Sequence, residues 1–125
     1  MPKIDNSKAR SFDNIPGVRF TEVASPSRGS SETSVWRSRV APGKPGLVHH
    51  MTREEVIVAV AGEGRVRIGE EEHRLAPGDV FAVPAFVDFA LECAGETPLE
   101  AMVVLPVGGR AVIGSQPSFQ PPWSI

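Results

Sequence analysis

The stretch "PGLVHHMTREEVIVAVAGEG", residues 45–64, places two adjacent histidines, a methionine and two adjacent glutamates ahead of a hydrophobic run that closes on a glycine. Within the run, three valines alternate with a second apolar set: Val56, Val58 and Val60 against Ile57, Ala59 and Ala61. Successive side chains of a strand point to opposite faces, so this pattern predicts a central strand buried on both sides. Glu55 shares its parity with Ile57 and Ala59, which makes their face a candidate cavity wall.

The rest of the chain continues in short β-rich runs. Between Val18 and Ile113, ten such runs are broken by Gly and Pro, and no amphipathic helix interrupts them. This arrangement is typical of an all-β barrel or sandwich. A chain of 125 residues suits one domain, which we expect over residues 15–113, between a flexible arm (1–14) and a proline-rich strap (114–125). Because the strap contains Trp123, we expect it to pack against a protein surface, either on its own barrel or on a neighbouring subunit.

The composition restricts the classes of partner that the protein can bind. Thirteen basic and fifteen acidic residues give a formal charge of -2 without any block of like charge, which argues against nucleic acid and membrane surfaces. The sequence shows neither a signal peptide nor an apolar run of roughly 18 residues. Cys93 is the only cysteine, and it continues an apolar stripe, so we expect a core thiol in a reducing, cytoplasmic setting. A small-molecule ligand is the favoured partner.

Two sets of residues stand at defined spacings. The first is Gly43, five residues, His49, one residue, Met51, three residues, Glu55, six residues, Gly62. The second is Gly78, five residues, Pro84, one residue, Phe86, two residues, Phe89, three residues, Cys93. Together they resemble the two motifs of the cupin superfamily, G-x5-H-x-H-x3-E-x6-G and G-x5-P-x-G-x2-H-x3-N. The resemblance implies a double-stranded antiparallel β-barrel of the cupin or jelly-roll type, often homodimeric, with a pocket reached from one end.

The resemblance also places the family's four metal ligands at His49, Met51, Glu55 and Phe89, so only two of the four ligand types remain. Phenylalanine cannot bind a metal, and a thioether suits Cu(I) rather than the ions that cupins usually hold. His50 does not supply the missing imidazole, because it lies next to His49 on a strand and points to the other face. We therefore expect no cofactor; the alternative is a divalent transition metal on His49, Glu55 and Met51.

The same residues define a candidate pocket, which we expect to be lined by His49, Met51, Glu55, Phe86 and Phe89 and to hold a small, partly apolar molecule. A buried Glu55 carboxyl group needs a partner, and His49 is the expected one. Two alternatives stay open. His49 and Glu55 could catalyse acid-base chemistry without a metal, as in an isomerase, cyclase or lyase, or the chain could be an atypical metal-dependent enzyme such as an oxygenase.

Overall fold

A computed structural model describes residues 3–125 as eleven β-strands and three short 3-10 helices. The helices are Asn6–Lys8, Pro26–Arg28 and Pro122–Ser124. The strands are β1 (Ser11–Ile15), β2 (Val18–Ala24), β3 (Thr33–Val40), β4 (His50–Met51), β5 (Glu55–Ala61), β6 (Gly64–Ile68), β7 (Glu71–Leu75), β8 (Val80–Val83), β9 (Ala90–Cys93), β10 (Leu99–Pro106) and β11 (Ala111–Val112). Over this range the helices are single turns, so none has the length or apolar character needed to span a bilayer.

The strands form a six-stranded sheet in the order β1-β2-β3-β10-β5-β8, a three-stranded sheet β7-β6-β9 and the pair β11-β4. Every pairing is antiparallel, and an isolated bridge joins His49 to Phe89. The inward side chains, among them Trp36, Ile57 and Val103, form the main core. This architecture confirms the predicted all-β barrel of the jelly-roll type.

Strand β5 lies between β10 and β8, as its hydrophobic sequence predicts. Its inner face is buried, with Ile57 and Ala59 each 1% exposed. The prediction that both faces are buried is wrong within the single chain, since Val60 on the outer face is 47% exposed. Gly62 ends the strand with φ +76°, where a Cβ atom would collide with the Pro98 carbonyl oxygen. Only glycine fits there.

The N-terminal arm is more ordered than we expected. Residues 11–14 belong to β1, which pairs with β2, so the boundary at residue 15 is corrected to residue 11. The physical reason is that Phe12 and Ile15 are half-buried and pack on the barrel, Phe12 at 6.1 Å from the Trp123 ring. Residues 1 and 2 of the predicted arm lie outside the described part of the chain.

The proline-rich strap lies against its own barrel. The Trp123 ring stacks on Phe20 with centroids 3.8 Å apart and planes 4° apart, and Trp36 approaches its edge. The Ser34 hydroxyl donates to the Ser124 carbonyl oxygen at 2.7 Å, a buried hydrogen bond. Of the two sites that the sequence left open for Trp123, the structure therefore shows the one on the same chain.

Candidate functional site

A cavity of about 110 Å³ lies inside the barrel, and its walls come mostly from apolar side chains. Pro16, Lys44 and Leu47 line it and are exposed, so they mark the opening between the β1–β2 turn and the segment that precedes β4. The inner end is closed by buried residues, including Trp36, Val103 and the strap residue Trp123. The strap thus forms part of the cavity wall.

His49 lines the cavity next to the start of β4. Its backbone N–H donates to the Phe89 carbonyl oxygen at 3.0 Å, and the Phe89 N–H donates back at 2.8 Å. The ring Nδ1 lies 2.8 Å from the Leu47 carbonyl oxygen. A carbonyl can only accept, so Nδ1 carries the proton and Nε2 keeps a lone pair. Burial lowers the pKa of His49 below its usual 6.5, so the ring is neutral at neutral pH.

Glu55 begins β5 on the inner face and is 5% exposed. Burial raises the pKa of its carboxyl group from 4.5 to about 8, with no hydrogen bond or charge in the described chain to offset it. The carboxyl group therefore keeps its proton at neutral pH and offers one O–H donor and one carbonyl acceptor inside the cavity.

The expected hydrogen bond between His49 and Glu55 is not formed. The pKa of His49 responds, after burial, to the Leu47 carbonyl, Asp88 and His50, and Glu55 is not among these influences. The imidazole is turned toward the backbone of its own segment, where the Leu47 carbonyl oxygen accepts from Nδ1. Both side chains line the same cavity, but each presents its polar atoms separately.

The family's metal positions do not fit an ion. Phe89 is 2% exposed, and its ring centroid lies 4.4 Å from that of His49, so a benzyl ring stands beside the only imidazole of the cavity. Met51 is buried in the wall and offers only a thioether. Among residues 3–125, no three His, Cys, Asp or Glu side chains come close enough together to hold a metal. A zinc or iron site needs at least three such donors.

Four of the five predicted pocket residues, His49, Met51, Glu55 and Phe89, line the cavity, and Phe86 does not. Phe86 is 68% exposed and has φ +64°, the only positive φ at a non-glycine residue in the described range. It occupies a motif position where cupins have glycine. The backbone keeps a conformation that favours glycine, and this conformation directs the phenyl ring outward.

His50 lies outside the cavity, as expected, with Nδ1 2.9 Å from an Asp88 carboxyl oxygen. Cys93 is buried, and its Sγ donates to the Thr97 carbonyl oxygen at 3.0 Å, which fits the predicted core thiol.

Two residues of the site were not predicted from the sequence. Ser38 is buried on β3 and lines the cavity; its parity with Trp36 and Val40 in "SVWRSRV" was the available signal. Glu92 lies between apolar neighbours in the sequence of β9, a pattern that suggests an exposed side chain, but it is 6% exposed. One carboxyl oxygen accepts from the Gly46 N–H at 2.9 Å, and the other accepts from Arg65 and Arg67. Glu92 therefore fixes the segment that borders the cavity opening.

Comparison with known proteins gives a family and a fold. The family described as "Cupin domain" matches residues 36–105, more than half of the chain. Among solved structures, the chain is similar to a sugar phosphate isomerase of the cupin superfamily from Silicibacter pomeroyi (20% identity, TM-score 0.70, 92% of this chain and 83% of that one). It is also similar to KdgF from Halomonas sp. (22% identity, TM-score 0.68, 85% and 94%).

A third similar structure is salicylate 1,2-dioxygenase from Pseudoaminobacter salicylatoxidans, at 21% identity and a TM-score of 0.69 over 83% of this chain. The match covers only 31% of the dioxygenase chain. The comparison with curated proteins gives no match. At these identities the structural likeness shows the fold and leaves the chemistry open.

Proposed function

Because the chain belongs to the cupin family, we propose that its barrel binds a small, largely apolar molecule, and that it does so without a metal at the family's ligand positions. The observation that carries this proposal is Glu55, a buried carboxyl group that faces an apolar cavity without a partner in the described chain. An unsatisfied buried polar group costs free energy, roughly 1–3 kcal/mol. A ligand that supplies the missing hydrogen bond recovers that loss.

The cavity favours a compact ligand. At about 110 Å³ it is somewhat smaller than the roughly 150 Å³ cavity known to accept benzene, and well below the several hundred Å³ typical of drug-sized ligands. Its polar groups include Ser38, His49 and Glu55, the Lys44 amine at the opening and the buried Trp123 indole N–H, which has no hydrogen-bond partner among the described residues. One aromatic or alicyclic ring that extends partly into the opening, with a hydroxyl donor for His49 Nε2 and an acceptor for the Glu55 O–H, matches this set.

The two methionines of the barrel allow a direct test. Met51 lines the cavity, whereas Met102 lies on β10 with its side chain on the outer parity. We expect monocyclic phenols, benzyl alcohols or benzamides to shift the ¹³C-methyl NMR signal of Met51 in labelled protein and to leave the Met102 signal in place. If no compound of such a set moves Met51 at millimolar concentration, the cavity is not a site for ligands of this class.

Metal-independent acid-base catalysis is the second candidate. Glu55 carries a proton at neutral pH while His49 Nε2 has a free lone pair, so one cavity contains both a proton donor and a proton acceptor. A ligand found in the NMR screen provides the test. If Glu55→Gln or His49→Gln keeps the ligand affinity but abolishes its conversion, the site is catalytic; if the ligand is recovered unchanged, the site only binds.

The metal-free part of the proposal has its own test. Protein purified without chelator or affinity metal should contain far less than one transition metal ion per chain by elemental analysis. The double variant Met51→His and Phe89→His restores the family's ligand types, and we expect it to bind Zn²⁺ at least about a hundredfold more tightly than the parent chain. One equivalent of metal in the parent protein would instead support the metal-dependent enzyme.

A further inference from the structure

One charged side chain lies at the opening of the cavity. Of the described residues that line the cavity, Lys44, His49 and Glu55 have ionisable side chains, and burial keeps His49 and Glu55 uncharged at neutral pH. Lys44 is exposed, and it forms no ion pair in residues 3–125. Its side chain ends in an ammonium group. The opening therefore carries a positive charge that the described chain does not balance.

The aliphatic stem of Lys44 lies against the β1–β2 turn. Gly17 in this turn has φ +81°, and a Cβ atom added there would lie 2.7 Å from Lys44 Cγ. The lack of a side chain at Gly17 thus lets the stem cross the turn, next to Pro16 at the opening. Lysine commonly packs its methylene groups on a protein surface while the ammonium group stays in water. The contact keeps the ammonium group at the opening.

Two carboxylates near the opening are already engaged by other groups. Glu92 accepts from the N–H of Gly46, two residues after Lys44, and from two arginines of β6. Asp13 lies in the hairpin that contains the β1–β2 turn, and it accepts from Arg19 Nε at 3.0 Å. Since neither carboxylate pairs with Lys44, the lysine is left to attract an anion from solution.

The interior of the cavity adds hydrogen-bond donors. The Trp123 Nε1–H is buried without a partner among residues 3–125, and the indole cannot turn to find one because it stacks on Phe20. The protonated Glu55 carboxyl group supplies a second donor. A ligand with oxygen acceptors suits both groups. Since a cavity of about 110 Å³ holds little more than one ring, a substituent on that ring reaches the opening, where Lys44 lies.

We propose that the ligand is a small organic anion whose ring fills the cavity and whose carboxylate binds the Lys44 ammonium group at the opening. This inference rests on the proposed function, which places a compact, largely apolar molecule in the same cavity. The carboxylate stays in contact with water at the opening, so it avoids most of the desolvation cost of a buried charge. Lysine acts as a point charge, and so the preference depends on the charge of the ligand rather than on its exact shape.

Pairs of probes that differ in charge test the proposal. Benzoate and para-hydroxybenzoate are compared with benzamide and para-hydroxybenzamide, which have nearly the same shape and no charge. Titrations at pH 7, followed by the ¹³C-methyl signal of Met51, give the dissociation constants. We expect each acid to bind about tenfold more tightly than its amide at low ionic strength, and this preference to fall to about twofold in roughly half-molar salt.

Variants of Lys44 assign the preference to one side chain. Lys44→Met should weaken binding of the acids about tenfold and leave binding of the amides within about twofold, whereas Lys44→Arg should keep the preference. Lys8→Met is the matched control, because Lys8 is exposed but does not line the cavity, and it should change neither affinity.

The outcomes separate this inference from the proposed function. If the parent protein binds the acids no more tightly than the amides, or if Lys44→Met weakens both classes equally, the anion preference is wrong and the apolar cavity remains a binding site. If neither class shifts the Met51 signal at millimolar concentration, the proposed function fails, and this inference fails with it.

Discussion

Two buried glutamates show what decides the state of a carboxyl group in this barrel. Glu55 and Glu92 are equally inaccessible, at 5% and 6% exposure. The Gly46 N–H and the guanidinium groups of Arg65 and Arg67 hold the pKa of Glu92 below 4.5, whereas burial without a partner raises that of Glu55 to about 8. Glu55 also lies deeper in the barrel than Glu92, whose arginine partners are partly exposed, so the depth of burial and the hydrogen-bond donors together set the charge.

The two carboxyl groups differ in whether the protein itself supplies their hydrogen-bond donors. Glu92 has three donors from its own chain, and the bonds tie β9 to β6 and to the cavity opening. Glu55 has none among the described residues, so its hydrogen-bonding capacity is left for a molecule inside the cavity. Under the proposed function, Glu92 stabilises the fold, whereas the carboxyl group of Glu55 gains its hydrogen-bond partner only when a ligand binds.

The largest expected effect comes from removing the ionisable group at Glu55. The folded chain keeps this proton up to about pH 8, while the unfolded chain releases it near 4.5. The unfolded state binds fewer protons in that window, so the free energy of unfolding falls as pH rises and levels off above about pH 8. Glu55→Gln should abolish this decline and be about 2–4 kcal/mol more stable than the parent at pH 9.

Urea unfolding of both proteins from pH 4 to pH 9 measures the effect. The two stability curves should lie close together at the acid end and separate steadily toward pH 8. Parallel curves would mean that Glu55 has a partner in solution and would remove the contrast with Glu92.

Glu92→Gln probes the other side of the comparison. Replacing a carboxylate that accepts three charge-assisted or backbone hydrogen bonds should lower the free energy of unfolding by about 2 kcal/mol at pH 7. Because the folded pKa is lowered, this contribution is present above 4.5 and is lost as pH falls through the folded value. Parent and variant should therefore converge in acid.

The matched control for Glu92 is Glu63→Gln. Glu63 also pairs with an arginine, Arg74, at 2.6 Å, but both side chains are more than half exposed. Its loss should change the free energy of unfolding by less than about 0.5 kcal/mol at the same pH. Equal losses at the two positions would show that burial adds nothing to the network around Glu92.

The smallest effect is expected at His49, which is only half-buried. Burial lowers its pKa, so below pH 6.5 the unfolded chain binds a proton that the folded chain does not, and stability falls with falling pH. His49→Asn keeps a donor for the Leu47 carbonyl and should remove this acid-side loss. Thermal melts at pH 5 and pH 7 should show a smaller shift for the variant than for the parent.

Much of the fold could be predicted because backbone requirements leave marks in the sequence. The short β-rich runs predicted an all-β barrel or sandwich, the resemblance of the two motifs to those of cupins implied the antiparallel barrel, and alternation in β5 placed Glu55 on the inner face. The exposure of the outer valines of β5 could not be predicted, because the alternating sequence is the same whether that face is covered or open to solvent. The prediction that Phe86 lines the pocket was wrong. A phenylalanine is typical of a pocket wall, but the backbone at Phe86 has the positive φ that favours glycine.

The hydrogen bonds of the site could not be predicted, because they depend on distances that spacing does not supply. Parity placed His49 and Glu55 in one cavity, but it could not show that the nearby Leu47 carbonyl would satisfy Nδ1. The partners of Glu92 come from β6 and from the segment before β4, far from it in sequence. Only the folded barrel brings those donors together.

Strand β5 also limits where residues can be inserted into this chain or deleted from it. Its odd-numbered residues face the barrel interior, where Glu55 lines the cavity, and its even-numbered residues face outward. Deleting a single residue just before the strand would shift the register by one, which would turn three valines into the barrel interior and the carboxyl group to the exterior. Insertions and deletions should therefore accumulate in the loops and be purged from this strand.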